Sequence, residues 1–269
     1  MGFAMAHGET VVSKHILAKW VERDPFVARV VDVLEGDGEV AELLRMSNIN
    51  AVLRLGYNDH GPVHARIVAG TALELFSLLL AANVEPTSLV HGTAKNLDEV
   101  KAVLVLASYL HDIGNAIHRD MHEHLGALFA KDILDRLIPR VLGDIGPRRF
   151  LLRQEVMGAI FSTDYSTRAL TVEAGIVKVA DGLDMSEGRA RIPYEMGKVD
   201  IHALSALSIK RVSLSRGSEK PVRITVRMDD LAGYFQVEKV LMPKIRLSGL
   251  QGYIELEVYA RENKLHVPL

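Results

Sequence analysis

The feature that most constrains this chain is a change of hydrophobic period. From Val11 to about Ala203 the apolar residues recur every three or four positions, as in Leu73, Leu75, Leu78, Leu79 and in Ile133, Leu134, Leu137, Ile138, which is helix periodicity. After about Ser205 the period drops to two, in Ile209-Lys-Arg-Val-Ser-Leu-Ser and again in Val222-Arg-Ile-Thr-Val-Arg-Met. The sequence therefore predicts a mainly α protein: an all-helical bundle over 1–204, with helices near 11–34, 37–46, 62–82, 97–110, 121–140, 147–163 and 166–183. A small α+β unit over 205–269 follows, in the order β-β-α-β, with Leu231 to Leu247 as its helix and Gly252 to Tyr259 as its last strand. Pro62 suits a first helical turn, and Gly143 to Pro147 reads as a turn.

Composition narrows the chemistry. The chain has 269 residues, 32 Lys+Arg against 34 Asp+Glu and a formal charge of -2, which disfavours a protein devoted to neutralising a phosphate backbone. Cysteine is absent, which excludes a disulfide framework, a thiolate zinc site and a thiol nucleophile. A metal must then rest on imidazole, carboxylate and water. Strictly apolar runs such as Ala102 to Ala107 are far shorter than the roughly 20 residues of a bilayer helix, and no signal-like segment opens the chain, so the expected location is cytoplasmic, without a membrane.

Histidine is clustered: His60, His64, His91, His111, His118, His122 and His124, seven of the eleven, fall between 60 and 124. The sharpest element is Leu110-His111-Asp112-Ile113-Gly114 at the end of an apolar helix, where a buried carboxylate calls for a cation or a hydrogen-bonded partner. Ala180-Asp181 repeats that placement at the end of another apolar helix. Imidazole and carboxylate donors without sulfur suit Mn, Fe, Co, Ni, Zn or Mg. His60 and His64 are four apart around a helix start, as are His118 and His122.

The order His64, then His111-Asp112, then Asp181, with 47 and 69 positions between successive elements, resembles the HD superfamily of metal-dependent phosphohydrolases over about residues 55–190. The resemblance implies an all-helical core and a divalent metal held by His64, His111, Asp112 and Asp181. It also implies a phosphoester substrate, a nucleotide or other small phosphorylated metabolite, cleaved by metal-activated water. Met121-His122-Glu-His-Leu-Gly126-Ala127 is similar to the His-x-x-x-Gly-Ala element of ribonuclease Y and of the cyclic-di-GMP phosphodiesterases, which points to His122 as ligand of a second metal. Where those branches have a His-His pair, this chain has Thr163-Asp164, so Asp164 is the second-metal oxygen ligand to test. The Lys that often follows His-Asp-Ile-Gly is Asn115 here, which moves the phosphate contact to Arg119, Arg66 or His118, with His60 as a further substrate-shell residue. Asp112, His118 and Arg119 are the expected catalytic groups, His118 and Arg119 orienting phosphate or protonating the leaving oxygen.

Two rival readings use the same residues: a di-iron oxygenase similar to inositol oxygenase, and a non-catalytic nucleotide sensor. The bland alternative, a buried His-Asp hydrogen bond with Asp181 merely ending its helix, leaves the ordered pattern a coincidence. In the tail, Lys210, Arg211, Arg216, Lys220, Arg223 and Arg227 lack interleaved aromatics, which disfavours nucleic acid, and a homodimer is the expected use of that unit.

Overall fold

A computed structural model describes residues 8–186, 205 and 207–267. Helix boundaries follow local chemistry. Helix α1 (Ile16–Arg23) is separated from α2 (Pro25–Glu35) at Asp24, whose carboxylate accepts from the Phe26 and Val27 amides at 2.9 and 3.3 Å. The single helix expected over 11–34 is thus two, because proline disfavours helical backbone at the residue before it. Its expected start is instead a strand, β1 (Thr10–Val11). Helix α3 (Gly38–Asn48), capped by Asp37, runs into a π-helical turn at Ile49–Arg54. Helices α4 (Pro62–Ala81), α5 (Thr87–Val90), α6 (Leu97–Leu110), α7 (His122–Leu142), α8 (Arg149–Phe161) and α9 (Val172–Leu183) complete the helical part, with a 3-10 turn at Ile113–Ala116. Asn96 and Thr171 cap α6 and α9 by accepting backbone N–H groups three residues on.

Helix α4 is the axis of the bundle. It is long and apolar enough to cross a membrane, but 83% of its apolar window is buried against the rest of the protein, and it carries a histidine in its first turn. That is the signature of a core helix hydrophobic all round.

The alternating segments become strands of a five-stranded sheet in the order β1-β2-β3-β4-β5, with β2 (Ile209–Arg216), β3 (Val222–Met228), β4 (Ile254–Ala260) and β5 (Asn263–Leu265). Strands β3 and β4 are parallel and the other pairs antiparallel. The crossover between the parallel pair is built from a 3-10 turn at Leu231–Gly233, α10 (Tyr234–Gln236), a π-helical stretch at Val237–Leu241 and α11 (Met242–Leu247), rather than from the one helix expected. One contiguous apolar cluster joins the sheet residues Val212, Ile224 and Val258 to Leu73, Leu75 and Leu104 of the helices. The sheet also clasps α4 through β1, where Thr10 Oγ1 donates to Glu74 at 3.1 Å. The expected boundary at 204/205 falls beside residues 187–204, which lie outside the described residues.

The β2–β3 turn has its own anchor. Glu255 accepts the Ser218, Glu219 and Lys220 amides at 3.1, 2.8 and 3.1 Å and pairs with Arg223. Burial alone would raise its carboxyl, but these donors outweigh it and hold the group at about 2. A carboxyl depressed from 4.5 contributes stability above 4.5 and loses it as pH falls toward 2. Glu255→Gln is therefore expected to cost about 1–2 kcal/mol at pH 7, with the gap to wild type closing between pH 4.5 and 2 in denaturant melts. A gap independent of pH would contradict the assignment.

Candidate metal centre

Four helix ends converge on one point. His64 lies in the first turn of α4, His111 caps the end of α6, Asp112 opens the 3-10 turn, and Asp181 sits in the last turn of α9. The Nε2 atoms of His64 and His111 are 3.2 Å apart. Asp181 Oδ1 is 3.2 and 3.6 Å from them, and Asp112 Oδ2 is 3.4 Å from both. His64, His111 and Asp181 offer atoms all within 4.8 Å of one another.

The far side of each ring fixes what the near side presents. His64 Nδ1 is 2.7 Å from Asp184 Oδ2, and His111 Nδ1 is 2.8 Å from the Ser108 carbonyl. Both partners are acceptors, so Nδ1 carries the proton in each ring and Nε2 turns a lone pair inward. Two imidazole lone pairs and two carboxylate oxygens then face one another, and Asp112 Oδ2, fully buried, has no hydrogen-bond partner. Such a set is repulsive unless a cation lies among its members, and two nitrogens with two oxygens suit a divalent first-row ion or Mg. Burial alone would raise the Asp112 carboxyl; the histidines around it, His111 foremost and then His60, together with the His122 bond, outweigh it and hold it well below the usual range. Asp181 is held low against the same burial cost, chiefly by the Lys244 ammonium.

Asn115, at the position where the HD pattern often has a lysine, supports Asp112. Its Nδ2 donates to the Asp112 carbonyl and to Oδ1, each at 3.0 Å. Asn50 of the π-helical turn donates to the Asn115 and Ala116 carbonyls at 2.7 and 3.1 Å, so that turn holds the Asp112 loop in place. His122, the first residue of α7, is buried with Nε2 3.3 Å from Asp112 Oδ1 and Nδ1 2.9 Å from Glu123. Arg119 Nη1 lies 3.0 Å from His122 Nε2, and its guanidinium lies over the Tyr57 ring at 5.7 Å. His60 is buried with its ring 5.9 Å from that of His64.

Other sequence-predicted residues are placed elsewhere. Arg66 is bidentate to Glu35 at 2.7 Å, away from the centre, because two positions along a helix from His64 is nearly the opposite face. His118 is exposed and accepts the Asp120 amide at 3.0 Å. The Asp164 carboxylate accepts from Ser166 and Thr167 of its own turn and is not one of the clustered donors. His91 and His124 are not drawn in either; the His124 ring packs edge-on against Phe161 at 4.3 Å.

Residues 64–186 match the HD domain family model, starting at the first histidine of the cluster. Over 235 residues the chain is 41% identical to an uncharacterized protein of Methanocaldococcus jannaschii, covering 87% of this chain and 89% of that one. The chain belongs to the HD-domain family. The family is in general one of metal-dependent phosphohydrolases, and the His-His-Asp cluster of this HD-domain protein suggests a divalent metal site. No solved structure matches it.

Asp184, which fixes the His64 ring from behind, is the residue of this cluster that the sequence did not single out. The signal was a second acid three positions after Asp181, on the same face of the helix end. Asp184→Asn frees the His64 tautomer, and a loss of about 10–100-fold in Mn²⁺ affinity is expected by titration calorimetry. Unchanged affinity would show that the orientation of His64 does not depend on it.

Proposed function

We propose that this HD-domain protein hydrolyses a phosphoester of a small molecule, using a divalent ion held by His64, His111, Asp112 and Asp181. The observation that carries the reading is the partnerless Asp112 Oδ2 facing two imidazole Nε2 atoms. When bound, such an ion lowers the pKa of water and draws electron density from a phosphoryl oxygen. The chain's own residues supply the rest. Asp184 and the Ser108 carbonyl keep both imidazoles in the ligating tautomer. Arg119, half-buried beside His122, offers the cationic donor that a phosphate needs. His122 is held protonated more readily than a free histidine: burial opposes this, but Asp112 and Glu123 outweigh it, which leaves an acid near the leaving oxygen.

Small esters are favoured over nucleic acid because three of the six basic tail residues pair with acids of their own sheet and its flanks. Arg211 pairs with Glu9 at 3.0 Å, Lys210 with Asp229 at 3.3 Å and Arg223 with Glu255. The test is release of nitrophenol from a phosphomonoester and a phosphodiester after chelation and Mn²⁺ add-back. Turnover restored by metal supports the reading. Stoichiometric metal with no turnover of either ester, or iron-dependent oxygen uptake, overturns it.

A further inference from the structure

One buried side chain at the centre comes from outside the matched domain. Lys244, in α11, is 3% exposed, pairs with Asp181 Oδ2 and donates to the Thr163 carbonyl at 3.0 Å. The Tyr165 ring lies 4.6 Å from its nitrogen.

Two glycines let it approach. Gly175 and Gly182, seven residues apart on α9, share one helix face. A Cβ at Gly175 would run into the Ser248 carbonyl oxygen, and one at Gly182 would stand 3.0 Å from Lys244 Cδ. The Ala169 amide donates to the Leu247 carbonyl at 2.9 Å on the same flank. The α11 segment therefore lies against α9 at backbone distance, and its lysine reaches the last turn of that helix.

Asp181 is thereby divided. Oδ1 faces His64 and His111, while Oδ2 is held by the ammonium. The ammonium is a positive charge one carboxylate away from the place where a divalent ion would sit, in surroundings where charges are poorly screened. We propose that Lys244 is a built-in counter-cation of Asp181, through which the C-terminal unit lowers the affinity of the centre for its divalent ion and restricts Asp181 to one ligating oxygen. The proposal rests on the metal-centre reading and not on the identity of the substrate. It differs in sign from a structural role. A lysine that only braced the fold would, when lost, misplace Asp181 and weaken metal binding, whereas loss of a competing cation tightens it.

The experiment titrates Mn²⁺ into metal-free full-length protein, with free Mn²⁺ counted by electron paramagnetic resonance, for wild type, Lys244→Met and Lys244→Arg. Lys244→Met is expected to bind at least tenfold more tightly, and Lys244→Arg, which keeps the charge, to stay within threefold of wild type. Where Lys244→Met melts without metal, chelator competition on the loaded protein reads the same constant. Affinity within threefold of wild type or weaker in Lys244→Met overturns the proposal, as does equal tightening in Lys244→Arg. Wild type that retains no Mn²⁺, Fe²⁺ or Zn²⁺ overturns the metal centre itself and, with it, the role of Lys244, before any variant is compared.

Discussion

Asp112→Ala is expected to lower metal-restored ester hydrolysis by a thousandfold or more, on the order of what loss of a charge-stabilising group or the metal itself produces. The physical reason is the position of its carboxylate. Oδ2 is buried without a hydrogen-bond partner and lies 3.4 Å from both inward imidazole nitrogens, while Oδ1 is held by Asn115 and lies 3.3 Å from His122. No other carboxylate contacts the donor cluster and His122 together among the described residues. A second readout separates lost chemistry from lost fold. At a hundredfold excess over its dissociation constant a ligand stabilises the native state by about 2.7 kcal/mol, which in a chain of this size raises the melting temperature by roughly 5–10 °C. Wild type should show that rise with Mn²⁺ and Asp112→Ala should not. A variant that keeps more than a tenth of the wild-type rate would remove Asp112 from the centre.

The four clustered donors were legible because their order along the chain survives folding: each ends or begins a helix whose apolar period can be read from the sequence. Their supporting residues were not. Asn115 reads as a departure from a motif and proves to be the donor that orients Asp112. Lys244 sits in an interrupted helical segment with nothing local to connect it to Asp181, sixty-three residues earlier. Arg66 shows the converse failure, since nearness in sequence to His64 suggested a phosphate contact and helix geometry turned it to Glu35. In the fold, the hairpin strands were plain from their alternation. Strand β1 was not, because two residues carry no period and its partner, β2, lies at the other end of the chain. The break at Asp24 lies in Asp-Pro, a signal that apolar period alone does not register.

The glycine of His111-Asp112-Ile113-Gly114 yields the largest expected effect on stability, and the reason is backbone approach rather than turn geometry. A Cβ at Gly114 would overlap the His122 carbonyl oxygen and lie 2.7 Å from the Gly126 amide nitrogen, while a Cβ at Gly126 would stand 3.2 Å from the His111 carbonyl. The 3-10 turn that carries Asp112 and the first turn of α7 that carries His122 therefore touch main chain to main chain through two glycines. Neither surface has a flexible side-chain end that could move aside. Gly114→Ala must push the turn off α7, and overpacking against rigid backbone at a buried site is expected to cost about 3 kcal/mol or more. In a chain of this size that lowers the melting temperature by roughly 6–12 °C. The same displacement pulls Asp112 from His122, so the variant should also lose the Mn²⁺-induced rise in melting temperature that Asp112→Ala loses, although all four clustered donors are still present. Melting within 2 °C of wild type would mean that the two turns are not in contact and that the glycines serve only local geometry.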